Sequence, residues 1–304
     1  MIQSIKDDIK KTFQYGNMVN KLLIANLAVF VIMILFKVFM QPFEGVYDAI
    51  LRNLQISSDP LKAIFKPWTF ITHMFLHVGV WHIVWNMILL YWFGKIVGDL
   101  IGDNKILPIY IYGGLVGGLI FILYANLTGI GGLGFAHGAS AAVMAMVMVA
   151  ALVAPDYNMR LILLGDIKIK YIALAMIILD LAGTAGNVNT GGHFAHLGGV
   201  FFGWFFVYSL RAGNDLSIGF NNVIAKGKGL FEPKKEIAPK SPLKVKYKAK
   251  NFASNVRSKG SRKSDNDNLP FQEKLDAILE KIKAKGYDNL SDEEKEFLFQ
   301  ASKK

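Results

Sequence analysis

Six apolar runs of roughly hydrocarbon length fill the first 210 residues: about 22–40, 80–100, 106–127, 139–154, 171–186 and 194–210. A bilayer core about 30 Å thick takes roughly 20 apolar residues of helix. In lipid, every backbone polar group must be satisfied within the segment or a closed barrel. A chain with this pattern therefore reads as all-α and polytopic: a bundle of six transmembrane helices. The last three runs are short and rich in Gly and Ala, which suits helices packed inside a bundle.

Charge supports the division. Charged residues make up 19% of the chain, against about 25% in a typical soluble domain. Residues 211–304 hold 21 of the 34 Lys+Arg and 13 of the 23 Asp+Glu. Most of the net +11 therefore sits in the tail and gives no nucleic-acid footprint to the body. Four segments are expected: a cytoplasmic N-terminal stretch (1–21), the membrane core (22–211), a basic flexible linker (212–270) and a small amphipathic helical hairpin (271–304). The hairpin reading rests on Leu275, Ile278, Leu279, Ile282, Phe297 and Leu298, a break at Gly286-Tyr287, and the capping-box pattern Ser291-x-x-Glu294. The linker, with thirteen Lys or Arg and two acids across 226–263, is suited to anionic lipid headgroups.

Connections orient the core. Lys95, Lys105, Arg160, Lys168, Lys170 and Arg211 lie in or beside alternate connections, whereas 128–138 and 187–193 hold no Lys or Arg. The positive-inside rule places both termini in the cytoplasm and the uncharged loops outside. The connection 41–79 is then external despite Arg52, Lys62 and Lys66. Its apolar residues Val46, Ile50, Leu51, Leu54 and Ile56 point to short helices half-sunk in the outer leaflet. The first run is read as a retained span, since no small-residue cleavage site follows it.

Polar residues inside such runs are functional candidates, because burying them in hydrocarbon is costly. Ser140 opens the fourth run after Gly131, Gly132, Gly134, Gly138 and Ala139. At a helix start, unpaired N–H groups and the helix dipole favour negative charge, as a tetrahedral oxyanion requires. Taken alone, Gly138-x-Ser140 also reads as a serine that caps or spaces a helix. His196 opens the sixth run at the same expected depth, and Gly199-x-x-x-Gly203 gives its helix a small face matching Ala141 and Ala145. Close packing of those faces brings a general base to a hydroxyl, the minimum for a serine nucleophile.

His82 and Asn86, four apart on the second run, share a helix face and offer donors to an oxyanion; polar glue between helices is the other reading. His73 and His77 are expected to hydrogen-bond loop backbone. A zinc-protease His-Glu-x-x-His pattern is absent, and no metal or cofactor is expected. The chain has no cysteine, which excludes disulfides and a thiol nucleophile. Asp180 reads as a structural acceptor, a proton-relay group or a third member of a triad. Asn187, Asn189, Thr190 and His193 are expected near the site's mouth, with the role of His193 open.

Assembled, these motifs resemble the rhomboid intramembrane serine proteases over about residues 17–211: His82-x-x-x-Asn86, Gly138-x-Ser140, Ala195-His196-x-x-Gly199 with Gly203, and Trp68 as a first-loop tryptophan. The resemblance implies a six-helix core with a Ser140–His196 dyad. His82, Asn86 and the Ser140 amide would bind the oxyanion, in a water-filled cavity open to the outer side. It implies cleavage of single-span membrane proteins near the outer end of their helix. Three positions depart from the family's pattern. Ala141 follows the serine in place of Gly, Thr69 follows Trp68 in place of Arg, and Met144 stands for an aromatic. The alternative is an inactive rhomboid-like protein that binds membrane clients; a transporter built on Asp180 would show repeated halves, which this sequence lacks. A bacterial cytoplasmic membrane is the expected location.

Overall fold

The computed structural model describes residues 2–129, 134–161, 165–185, 189–231, 271–285 and 289–301. The chain divides into two compact units, residues 1–236 and 237–304.

The first unit runs α1 (Ile2–Tyr15), α2 (Met18–Phe39), α3 (Val46–Leu54), β1 (Ile56–Ser57), α4 (Pro60–Phe65), α5 (Thr69–Thr72), α6 (Val80–Ile101), α7 (Ile106–Thr128), β2 (Phe135–Ala136) and α8 (Ser140–Val153). It continues through β3 (Asn158–Leu161), β4 (Gly165–Lys168), α9 (Ile169–Thr184), α10 (Thr190–Arg211) and α11 (Leu216–Phe231). The second unit contains α12 (Phe271–Lys285) and α13 (Asp292–Ala301).

Helices α2 and α6 to α10 overlap the six apolar runs. Met18–Phe39, Val80–Ile101 and Asp103–Thr128 are long and apolar enough to cross a membrane by length and composition, and Ser140–Val153 is a shorter apolar helix. Their ends follow local chemistry. Asn17 caps α2 by accepting the Asn20 N–H at 2.9 Å, so this helix starts ahead of the apolar run. Asp59 caps α4 and Pro60 occupies its first position. Gly129 ends α7 at φ +64°.

Helix α8 is the central post: from Ala141 to Val147 every residue is buried. Glycines of α7 and α10 meet its alanines. A Cβ at Gly113 would run into the Ala145 side chain, and one at Gly203 into the Ala145 carbonyl. Backbones approach this closely only where side chains are absent. Tyr110, buried on α7, ties three segments together. Its hydroxyl donates to the Met74 carbonyl at 2.9 Å and accepts from Asn26 Nδ2 of α2 at 3.1 Å.

Large apolar side chains point outward from the same helices, among them Val31, Trp81, Leu123, Leu179 and Phe201. An aqueous protein rarely exposes this much contiguous apolar surface; hydrocarbon is the solvent that accepts it. The first unit is a membrane-type helical bundle.

Several expectations change. The all-α reading needs two small antiparallel pairs: β1 with β2, Ile56 opposite Ala136, and β3 with β4. The first ties the 41–79 connection to the loop ahead of Ser140. That connection holds α3, α4 and α5. The segment 212–270 is not linker throughout, because residues 216–231 form α11. An ion pair from Lys105 to Asp215 (2.8 Å) and a bond from Asn221 Nδ2 to the Asn104 carbonyl (3.0 Å) hold the start of this helix to the α6–α7 turn. Residues 232–270, most of the basic stretch, lie outside the described residues, as do Gly286 and Tyr287.

In the second unit the Ser291–Glu294 box closes in both directions. The Ser291 N–H donates to Glu294 Oε2 at 2.8 Å and the Glu294 N–H to Ser291 Oγ at 3.3 Å. Lys281 of α12 bonds both Glu294 oxygens at 2.7 Å.

Candidate active site

Ser140 is the first residue of α8. Its own N–H therefore has no acceptor within the helix. The preceding Gly138 has φ +119°, and a Cβ there would stand 2.7 Å from the His82 ring. Only glycine accepts both conditions without strain, so the turn ahead of Ser140 packs directly against the His82 ring.

Two histidines of the α5–α6 segment clamp this turn. The Gly138 N–H donates to the His73 carbonyl at 2.8 Å, and the Ala139 N–H to His77 Nε2 at 3.4 Å. His73 Nδ1 in turn bonds the Thr69 carbonyl at 2.7 Å. The His73 ring thus holds backbone of its own segment, and the His77 ring holds backbone of the loop ahead of Ser140.

His196 lies on α10, facing α8. Its Nε2 is 2.7 Å from Ser140 Oγ, and its Nδ1 is 2.8 Å from Asp180 Oδ1 of α9. A carboxylate only accepts, so the Nδ1 carries the ring proton and the Nε2 lone pair is free for the serine hydroxyl. His193 Nδ1 donates to the same Asp180 oxygen, also at 2.8 Å. Asp180, His193 and His196 present ligand atoms within 4.8 Å of one another; hydrogen bonds from two rings to one carboxylate account for that convergence.

Gly199 brings the helices together. A Cβ there would overlap the Ala141 carbonyl oxygen, in the residue after Ser140. Ala141, in the place of a glycine, itself fits against Gly117 of α7.

Ser140, His196, His82, Asn86 and Asp180 line one cavity of about 700 Å³. Asn86 Nδ2 donates to the His82 carbonyl at 2.8 Å. This bond lies within α6 and leaves one amide hydrogen and the carbonyl oxygen of the side chain. Met144 lines the same cavity. Trp68 sits in the 41–79 connection, where its Nε1 donates to the Asn53 carbonyl at 2.8 Å. Asn189 and Thr190 begin α10. Asn187, Gly131 and Gly132 lie outside the described residues.

Sequence reasoning missed His137. It lines the cavity, its Nδ1 is 2.9 Å from Gln55 Nε2, and its ring meets His82 edge-on at 5.8 Å. His82 in turn meets His77 edge-on at 5.0 Å. Its position three residues before Ser140 was the available signal.

Burial lowers the pKa of His73, His77 and His137 to about 4 each; neighbouring imidazoles add to this, and at His73 and His77 backbone hydrogen bonds oppose it. An unfolded histidine titrates near about 6.5. Between these values the unfolded chain binds more protons, so stability is intact above about pH 6.5 and is lost as the pH falls toward 4. The thermal midpoint of the detergent-solubilised protein is expected to drop steadily across that window. A midpoint level from pH 7 to 4 contradicts this account.

Comparison with known proteins agrees with the geometry. Residues 65–213 match the Rhomboid domain family, and residues 267–304 match a family of unknown function, DUF6576. Presenilin-associated rhomboid-like protein A, mitochondrial, of Danio rerio is 32% identical over 137 residues, 44% of this chain and 35% of that protein. RHOMBOID-like protein 12, mitochondrial, of Arabidopsis thaliana is 32% identical over 191 residues, 59% of this chain and 54% of that protein. Rhomboid protease GluP of Bacillus subtilis (strain 168) is 24% identical over 135 residues, 44% of this chain and 25% of that protein. The matched regions thus span about half or less of each relative. Two of the three are named mitochondrial, so kinship supports a membrane protein and lends no support to a bacterial membrane in particular. The matched region contains the helices that carry Ser140 and His196, and residues 65–213 are on that footing a Rhomboid domain.

Proposed function

We propose that this protein is an intramembrane serine endopeptidase with Ser140 as nucleophile and His196 as general base. The observation that carries the reading is the 2.7 Å approach of Ser140 Oγ to His196 Nε2 at the head of α8, inside a cavity. His196 takes the hydroxyl proton as Ser140 attacks the scissile carbonyl, and returns it to the leaving amine. The Ser140 N–H, His82 and Asn86 stabilise the oxyanion. Each engaged donor of this kind lowers the barrier by about 2.7–4 kcal/mol. Water then hydrolyses the acyl-enzyme, with His196 again as base. The reaction needs no cofactor.

The substrates are single-span membrane proteins, cut near the outer end of their helix, which must unwind there because a helical peptide bond is shielded. In this reading α2 and α6 to α10 are six spans, with both termini in the cytoplasm and the loop before Ser140 outside. The basic residues of the tail then face anionic headgroups of the inner leaflet.

The test is cleavage of single-span reporters in proteoliposomes by wild type and by Ser140→Ala. Cleavage by wild type alone is expected. Equal cleavage by both would overturn the assignment of Ser140, and no cleavage of several helix-destabilised reporters by wild type would favour a client-binding role.

A further inference from the structure

We infer that the Ser140–His196 pair is the outer half of a four-member hydrogen-bonded chain, with Asp180 as the positioning residue of His196 and His193 as the support of Asp180. The inference rests on the proposed peptidase reading and extends it to two residues on different helices.

The chain of contacts is continuous: Ser140 Oγ to His196 Nε2 at 2.7 Å, His196 Nδ1 to Asp180 Oδ1 at 2.8 Å, and Asp180 Oδ1 to His193 Nδ1 at 2.8 Å. Asp180 is buried on a helix whose outer face is apolar. An ionised carboxylate in such a place is expensive unless donors meet it. Two ring N–H groups do, and the imidazole planes stand 82° apart, so they approach the one oxygen from different directions. The neighbouring helix is cut to allow this. Gly183, three residues after Asp180, lies directly under the His193 ring, and any Cβ there would collide with it. Glycine at 183 is thus the space that lets His193 lie against α9.

The consequence is control of the tautomer. With Nδ1–H donated to Asp180, His196 can accept the serine proton only at Nε2. After that transfer the imidazolium faces a carboxylate that stays ionised, and the same proton leaves with the amine. His193 keeps the second approach to Oδ1 filled, which prevents the carboxylate from rotating away or recruiting water. The titratable groups facing His196 are Asp180 from α9, His193 from its own helix and His82 from α6; α8 presents Ser140, and α7 presents glycines.

Two readouts test the inference. The first is the reporter assay with Asp180→Asn. An asparagine amide can donate to Nδ1 and select the tautomer whose Nε2 already carries a proton. A kcat loss of between about 100-fold and 10⁴-fold is expected, with KM little changed. His193→Phe, which keeps a ring and removes the donor, is expected to lower kcat about tenfold, the scale of one lost hydrogen bond to a charge. A structural role alone would not confine the loss to kcat. The second readout is the ¹⁵N shift pair of His196 in ¹⁵N-histidine-labelled Ser140→Ala protein, which needs neither cleavage nor a folded Asp180 variant. The Nδ1–H tautomer at neutral pH is expected; the Nε2–H tautomer overturns the inference. Loss of cleavage in Ser140→Ala together with wild-type kcat in Asp180→Asn would also overturn it, while leaving the peptidase reading intact.

Discussion

His196→Ala is expected to reduce reporter cleavage to background, and the double variant Ser140→Ala/His196→Ala is expected to be no slower than either single one. The two side chains act on one proton. Without His196, the Ser140 hydroxyl has no base at 2.7 Å. Without Ser140, His196 has no nucleophile to activate. Groups that act as a unit show such non-additivity: losing one costs as much as losing both, on the order of a million-fold in kcat for soluble serine proteases. The residual rate in all three variants should be alike, since the oxyanion donors and the binding cavity remain. The check is a full double-mutant cycle on one reporter at matched protein levels. Independent, multiplicative losses would show that the two residues are not partners in a single step.

Gly199→Ala is expected to be the most damaging one-carbon change in the bundle. Its Cβ would overlap the Ala141 carbonyl oxygen. That atom is backbone in the first turn of the buried helix α8 and cannot rotate aside, so α8 and α10 must separate. Overpacking of this kind typically costs about 1–3 kcal/mol, occasionally more. The separation falls where Ser140 and His196 meet, because Ser140 adjoins Ala141 and His196 lies three residues before Gly199. A misplacement of about 1 Å can cost about 100-fold in rate. Gly199→Ala should therefore lose about 100-fold in kcat/KM and several degrees in thermal midpoint. Gly219→Ala is the control. Nothing lies within 4 Å of a Cβ built at Gly219 on α11, so this change should leave cleavage alone and raise helix stability by up to about 1 kcal/mol. Equal behaviour of the two variants would remove packing at Gly199 as the reason for the short α8–α10 distance.

The helices were legible because long apolar runs leave the chain few alternatives. Their ends were less so. Helix α10 begins at Thr190, four residues before its apolar run, because Gly191, Gly192 and His193 belong to the helix while serving the polar interior. Helix α11 was hidden in a stretch read by its charge, although Leu216, Ile218, Phe220 and Val223 carry apolar surface. The β1–β2 pair is two residues long on each side, too short for any alternation to register. His137 offered no periodicity, only nearness to Ser140.

By itself the sequence determined the apolar runs, the position of Ser140 at a helix start, and the complement of small residues on α7, α8 and α10. These properties are local, repeating along the chain at helical spacing. Only the tertiary structure decided that Ser140 and His196, 56 residues apart, come within hydrogen-bond reach, that Asp180 receives two imidazoles on one oxygen, and that His137 joins His82 in the cavity wall. Those outcomes depend on how far each helix is rotated and slid against its neighbours. Shifts of a few tenths of an ångström make or break a hydrogen bond, and no local pattern carries that information.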